Sequence, residues 1–362
     1  MLVKLNKLLP PGSAHTTNRN ARMFALALSL ISPTLVNADV IQYTAEDPAI
    51  CAKCQFLTDT YFPAVESYTD GDISIQPLFG GLIGTHHETV ELVGNDVVKF
   101  GTTWVGAHPT VFIAQSIFDL FPIGPNRYED QMYFYRQAYE RIPAFKAELG
   151  KRNLELIMIS PLLHLAFASK EPISELSGLE GKKFRAGNKW LLRYLATSGA
   201  SPVSVPWADI YISLQTGVIN GVLTNYDGID NMKFYEPAPH LLMAPDLWMA
   251  SPMIHVANKD YFDGLSPEVQ DGWIKASLEA EDAFGEVMAT ERAKIIQSQT
   301  AAGVTITEMS EEDLQSWGDP DSLTEARTLW VEEASAAGLE DAQSVLDLAM
   351  EIYSETLTRS QN

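Results

Sequence analysis

Residues 181–225 alternate short extended apolar runs with short amphipathic stretches, the pattern of strands and helices following one another in an α/β fold. The same alternation fills most of the chain. Residues 40–45 read as a first strand, 56–68 as a helix, and the turn Asp70-Gly71-Asp72 leads to a strand at 73–77. A glycine-rich loop at 80–84 precedes a helix at 85–93, whose acids lie in its first turns where the helix dipole favours them. Residues 97–101 predict a buried strand that ends at Thr102-Thr103-Trp104. Further along, 129–150 reads as helix, 154–159 as strand, and 161–169 as a crossing to a second lobe. Residues 249–258 return as a strand to the first. Ser266-Pro267 then opens a long helix that runs to about residue 301, with serine at the cap and proline at the first helical position. A strand at 304–308 and a helical region at 320–338 follow.

Residues 1–38 break this pattern. They carry Lys4, Lys7, Arg19 and Arg22 and no acid, and an apolar run at 23–36 ends in Val36-Asn37-Ala38. A basic start, a short hydrophobic core and a small residue at the end predict a secretory signal peptide cleaved after Ala38, and so an exported protein. The run is too short and too interrupted for a membrane span; an uncleaved anchor is the alternative. Removing this leader takes the formal charge from −22 to −26. Such a surface repels nucleic acid and anionic lipid. Capture of an anion by so acidic a chain requires a dedicated local cation. About 324 remaining residues suit two lobes better than one. The predicted division gives lobe I residues 39–162 plus 250–290, and lobe II 163–249 plus 291–362 with the C-terminal helices.

Arg185 closes the first extended run of the 181–225 segment, beside Ala186-Gly187. An arginine at a strand end next to a glycine can point into a cleft and grip a carboxylate through two parallel hydrogen bonds. Gly181-Lys182-Lys183-Phe184-Arg185, Gly199-Ala200-Ser201-Pro202-Val203, Pro206-Trp207-Ala208-Asp209-Ile210-Tyr211, Leu214-Gln215-Thr216-Gly217 and Ile219-Asn220-Gly221 follow in order. Together they resemble the ligand-binding core of the solute receptors of tripartite ATP-independent periplasmic (TRAP) transporters, the DctP-type family. The resemblance covers most of the mature chain and is most specific at 172–226 and 73–104. It implies a two-lobed α/β periplasmic-binding-protein-like fold with a hinged cleft and a long helix spanning both lobes. It also implies capture of a small organic acid and its delivery to TRAP membrane permease subunits driven by an ion gradient.

The resemblance casts Arg185 as the residue that holds the ligand's carboxylate. Thr224 and Asn225 lie where the family places a ligand-binding asparagine, although Asn220 and Leu223 replace its usual aspartate and glutamate. Many carboxylate-binding members carry a second arginine on the crossing strand; Leu165 stands there, with His164 as the nearest polar group. This argues against a dicarboxylate and for a monocarboxylate, a zwitterion or an aromatic acid. Trp104, Trp190, Trp207, Tyr226 and Trp248 match positions at or near the family's cleft, where aromatic faces would shape the ligand's body. Each can equally be core. Glu46, following the first strand with Asp47, can receive an ammonium or can simply be a solvated loop acid.

Cys51 and Cys54 are the only cysteines. In an exported chain they pair as a local disulfide or remain two thiols. No second ligand pair supports zinc, and no cofactor motif is present. Nucleophile-elbow, zinc-protease and phosphate-loop signatures are likewise missing, so the expected activity is binding and not catalysis. A sensory ligand-binding module, or an uncharacterised periplasmic hydrolase, are the other readings.

Overall fold

A computed structural model describes residues 38–361; the expected leader lies outside the described residues apart from Ala38. Eleven strands form two sheets. The first uses β1 (Asp39–Thr44), β2 (Ile73–Leu78), β3 (Phe100–Trp104), β4 (Leu154–Ser160) and β10 (Met253–Asn258), in the order β2-β1-β3-β10-β4. The second uses β5 (Leu165–Ser169), β6 (Lys183–Arg185), β7 (Ser201–Val203), β8 (Gly221–Asn225), β9 (His240–Met243) and β11 (Thr305–Glu308), in the order β11-β9-β5-β8-β6-β7. Each sheet mixes parallel pairs with antiparallel insertions: β10 runs against β3 and β4, and β5 against β8 and β9. Helices and loops cover the sheets, giving the two-lobed α/β architecture.

The chain crosses between the sheets three times: from β4 to β5, from β9 to β10, and along the helix Pro267–Ala301. That helix is tied at both ends. Near its start the indole of Trp273 donates to the Tyr61 hydroxyl at 3.0 Å, and Tyr61 and Ser277 share a hydrogen bond of 2.8 Å. Near its end Gln299 accepts from the Tyr226 hydroxyl and donates to Asp230, both at 3.0 Å. Trp273 is fully buried, its ring edge-on to Phe100 at 5.2 Å. Trp273→Ala is therefore expected to cost about 3–5 kcal/mol, read as a lower urea midpoint. Gln299→Ala should cost less, about 1–3 kcal/mol, because it leaves the buried Tyr226 hydroxyl without its partner but removes a smaller side chain.

Three elements depart from the sequence expectations. The strand predicted at 97–101 begins only at Phe100. The amides of Val97 and Val98 bond back to the Leu92 carbonyl at the end of helix His86–Gly94, so they are not free to join a ladder. The helix predicted at 129–150 is two, Tyr128–Arg141 and Pro143–Lys151, because Ile142 precedes a proline and turns out of helical geometry (ψ 96°). Half of the predicted crossing at 161–169 is β5, an interior strand of the second sheet. Among the expected C-terminal helices is Ala342–Ser360, for which the sequence set no bounds. It packs on Tyr128–Arg141, where Arg141 pairs with Glu351 and Glu355 and the Tyr353 hydroxyl donates to the Ile123 carbonyl.

Candidate functional site

Arg185 ends β6, flanked by the parallel strands β7 and β8 and set opposite Val203 and Val222. After Gly187 the chain turns at once into the helix Lys189–Thr197, whose first turn is capped by Asn188 accepting from the Leu191 amide at 2.9 Å. This abrupt strand-to-helix turn leaves Arg185 at the carboxyl edge of the sheet, where open α/β sheets bind ligands. The side chain is only 8% exposed. Its Nε donates to the Val205 carbonyl at 3.0 Å, and its guanidinium carbon lies 5.7 Å from the centre of the Trp207 ring. Among the described residues its terminal nitrogens make no hydrogen bond, and no carboxylate lies within ion-pair distance. Burial alone draws the guanidinium down to about 10. It remains charged at neutral pH, and the fold supplies nothing to neutralise it.

Trp104 comes from the other lobe, at the end of β3. Its indole nitrogen donates to the Ser251 carbonyl at 3.0 Å, which fixes the ring. A Cβ on Gly187 would stand 3.0 Å from the Trp104 ring and 3.5 Å from an Arg185 terminal nitrogen, so ring and guanidinium are close neighbours across the lobes. On the Arg185 side, the Asn225 carboxamide accepts from the Thr224 hydroxyl at 3.0 Å and donates to Asp227 at 2.7 Å. The Trp207 ring reaches the same spot. A Cβ on Gly228 would come within 2.8 Å and 2.9 Å of the Asn225 amide atoms and within 2.9 Å of Trp207. Gly228→Ala is thus expected to displace both side chains and weaken ligand binding about tenfold or more, with little change in folding; isothermal titration beside a thermal melt checks this.

Acids face the site from both lobes. Burial raises the Asp227 carboxyl; Asn225 and Lys53 oppose the shift, and the Asp47 charge adds to it. Lys53 and Asp47 belong to the β1–β2 segment, so the two lobes sense one another here. Asp47 itself is held below the usual carboxylate range: burial works upward but is outweighed by Lys53, paired at 2.8 Å, and by His86. Glu46 is already engaged, accepting the His86 amide at 2.8 Å where the helix His86–Gly94 begins.

The remaining candidates are packed. Trp190 and Trp248 are each 2% exposed and belong to the hydrophobic core. Trp190 shares the buried face of its helix with Leu191, Tyr194 and Leu195, and Trp248 covers Gly124 so closely that a Cβ there would sit 2.0 Å from its ring. Neither offers a free face to a ligand. Tyr226 is fully buried, its hydroxyl committed to Gln299. Thr224 is buried and acts through Asn225. Leu165 is fully buried opposite Asn225, so no second clamp arises on β5. Cys51 and Cys54 are joined as a disulfide, and the Cys51 sulfur caps the helix Ala52–Phe56 by accepting from the Cys54 amide. Sequence reasoning missed Asp227 and the close glycine approaches at 187 and 228, since a surplus of acids hides any one of them.

The family model for bacterial extracellular solute-binding proteins, family 7 (DctP), matches residues 58–320, well over half of the chain. The chain belongs to this family of TRAP solute-binding proteins. Among such proteins it is 25% identical to the ectoine/5-hydroxyectoine-binding periplasmic protein of Ruegeria pomeroyi, over 78% of this chain and 83% of that protein. It is 23% identical to the C4-dicarboxylate-binding periplasmic protein of Rhodobacter capsulatus, over 81% and 87%. The solved periplasmic ectoine-binding protein of Halomonas elongata superposes with a TM-score of 0.75 at 23% identity, covering 88% of this chain and all of that one. A TRAP solute-binding protein of Desulfovibrio salexigens with bound orotic acid superposes at 0.78 with 19% identity, covering 88% and 99%. The TRAP solute-binding fold is thus shared along nearly all of the described chain. No helix among the described residues is long and apolar enough to cross a membrane.

Proposed function

We propose that the protein is the periplasmic receptor of a TRAP transporter, exported by a leader cleaved after Ala38, and that it captures a small organic acid with a single carboxylate. The observation that carries this reading is the charge of Arg185, buried between Trp207 and Trp104 without an acid to pair with. A carboxylate bound there gains a bidentate, charge-assisted contact where little water competes. Asp227 and Asn225 lie on the same side, with Asp47 and Glu46 opposite, and these suit a ligand whose other end carries an amine, amidine or amide N–H. A zwitterion or cyclic amino acid meets both requirements, and relatives that bind ectoine are consistent with that chemistry. Closure of the lobes over the ligand would present the loaded receptor to the permease subunits, and the protein itself performs no reaction.

The test is a thermal-shift screen of the chain from Asp39 onward against monocarboxylates, dicarboxylates, zwitterions, sulfonates and sugars. Ligand binding raises the melting temperature by mass action, so the responding class names the substrate class. A response confined to monocarboxylates or zwitterions supports the reading. A response to neutral sugars or dicarboxylates alone overturns it. Mass spectrometry of extracts from the denatured protein covers a ligand retained through purification.

A further inference from the structure

We propose that the protein carries a second anion site, separate from the Arg185 cleft, in a pocket formed where the chain crosses between the lobes, and that this site takes a small organic carboxylate. All three crossings build the pocket. Its walls include His164 between β4 and β5, Pro245 between β9 and β10, and Met288 and Arg292 on the long helix, around about 390 Å³. None of Arg185, Trp104, Trp207, Asn225 or Asp227 lines it. That volume suits a ligand of modest size.

Two groups there lack partners. The His164 side chain is only 7% exposed, and its Nε2 is buried without a hydrogen bond among the described residues. An unmade hydrogen bond of this kind is costly, and most such atoms in folded proteins have a partner. Arg292 is half-buried and makes no hydrogen bond or ion pair with any described residue, although acids outnumber cations 47 to 25 in the chain. Burial, reinforced by the Arg292 charge, holds His164 down to about 3, so at neutral pH it is an uncharged imidazole beside a cation. Both groups line the pocket, and an imidazole in its Nε2–H tautomer together with the guanidinium fork would serve as a receptor for a carboxylate. The rest of the wall sets the apolar side chains of Leu162, Leu163 and Met288 beside Asn126, Tyr128 and Gln131, a mixed lining that suits an organic body over an inorganic oxyanion. His164 is also tied to the first site. Its ring lies 5.5 Å from that of Tyr226, and its carbonyl accepts the Tyr226 amide at 3.0 Å, one residue beyond Asn225.

Trifluoroacetate, a carboxylate with a small apolar body, serves as the probe in fluorine NMR titrations of the full mature chain carrying Arg185→Ala, which silences the first cleft. A saturable signal is expected, at least about tenfold weaker after Arg292→Gln or His164→Phe. Arg292 reaches solvent, so its variant keeps the fold even if His164→Phe does not, and a thermal melt verifies this. Three results overturn the proposal: no saturable signal in the Arg185→Ala protein; a signal that Arg292→Gln leaves within about threefold; or displacement by sodium sulfate as effective as displacement by propionate at constant ionic strength. Failure here leaves the Arg185 reading untouched, because the cleft ligand is measured separately in the protein with Arg185 intact.

Discussion

Arg185→Ala is expected to weaken binding of the captured acid by at least about thirtyfold, and by up to several thousandfold, without lowering the melting temperature of the ligand-free protein. The range follows from the cost of removing one partner of a buried, hydrogen-bonded charge pair, about 2–5 kcal/mol. The unusual part is the second half of the prediction. Most buried arginines are anchored by acids, and deleting them strands a carboxylate. Here the only internal hydrogen bond lost is that from Nε to the Val205 carbonyl, and the burial that draws the guanidinium down to about 10 is a strain on the ligand-free fold that the alanine variant relieves. Arg185→Lys keeps the charge but not the planar fork, so it should recover only part of the affinity. Titration calorimetry with the ligand identified by screening, beside melts of both variants, decides the matter. Affinity of Arg185→Ala within about threefold of the parent would remove Arg185 from the site.

Two buried acids are expected to withdraw stability as pH rises from about 4 to about 7. Burial pushes Asp119 up to about 7, although the polar side chains of Asn188 and Ser251 nearby oppose the shift. Burial likewise pushes Glu148 up to about 7, although it accepts from the amides of Ala114 at 2.6 Å and Gln115 at 3.3 Å. In the unfolded chain both ionise near pH 4; in the folded protein both hold their protons until about pH 7. The folded state therefore binds more protons across that window. The stability these groups confer is complete below the unfolded values and is lost as pH rises through the folded ones. At about 1.4 kcal/mol per pKa unit the loss amounts to no more than about 3–4 kcal/mol for each group. Asp47, held low by Lys53, acts in the opposite sense below about pH 4, and the buried imidazoles of His108 and His164, held down to about 4 and about 3, do so up to about pH 6.5. The difference in urea midpoint between pH 5 and pH 8 should therefore change in the double variant Asp119→Asn, Glu148→Gln, which gains stability relative to the parent mainly at pH 8. An unchanged difference would assign the pH dependence to the overall negative charge.

The place of Arg185 was legible in the sequence because it rests on a short apolar run ending beside a glycine and on the family pattern that contains them. The strand β6 delivers it as that run requires, and the cap at Asn188 starts the helix beyond it. The long helix was legible from local rules, with Ser266 and Pro267 marking its start. What escaped depended on distant partners. The sequence at 97–99 is as apolar as a strand, and only the engagement of its amides with Leu92 removes it from the sheet. The helix Ala342–Ser360 owes its place to contacts with Tyr128–Arg141, more than two hundred residues away. Indoles at 190 and 248 look alike in sequence to those at 104 and 207; burial separates the pairs, and burial is set by packing between elements. Asp227 becomes conspicuous only when Asn225 is seen to hold it.

The strand order of the first sheet bears on how the chain is made. β10 lies between β3 and β4, yet it is contributed by residues 253–258, after the entire second sheet except β11. A polypeptide that has emerged only as far as residue 250 holds β3 and β4 with a gap one strand wide, and their facing edges carry unpaired amides and carbonyls. Open edges of that kind invite pairing with other chains. Completion of the lobe must await a segment distant in sequence, which makes assembly slow and dependent on the whole length of the protein. A fragment stopped before β10 is therefore a substrate for proteases and an aggregation hazard, not a half-sized receptor.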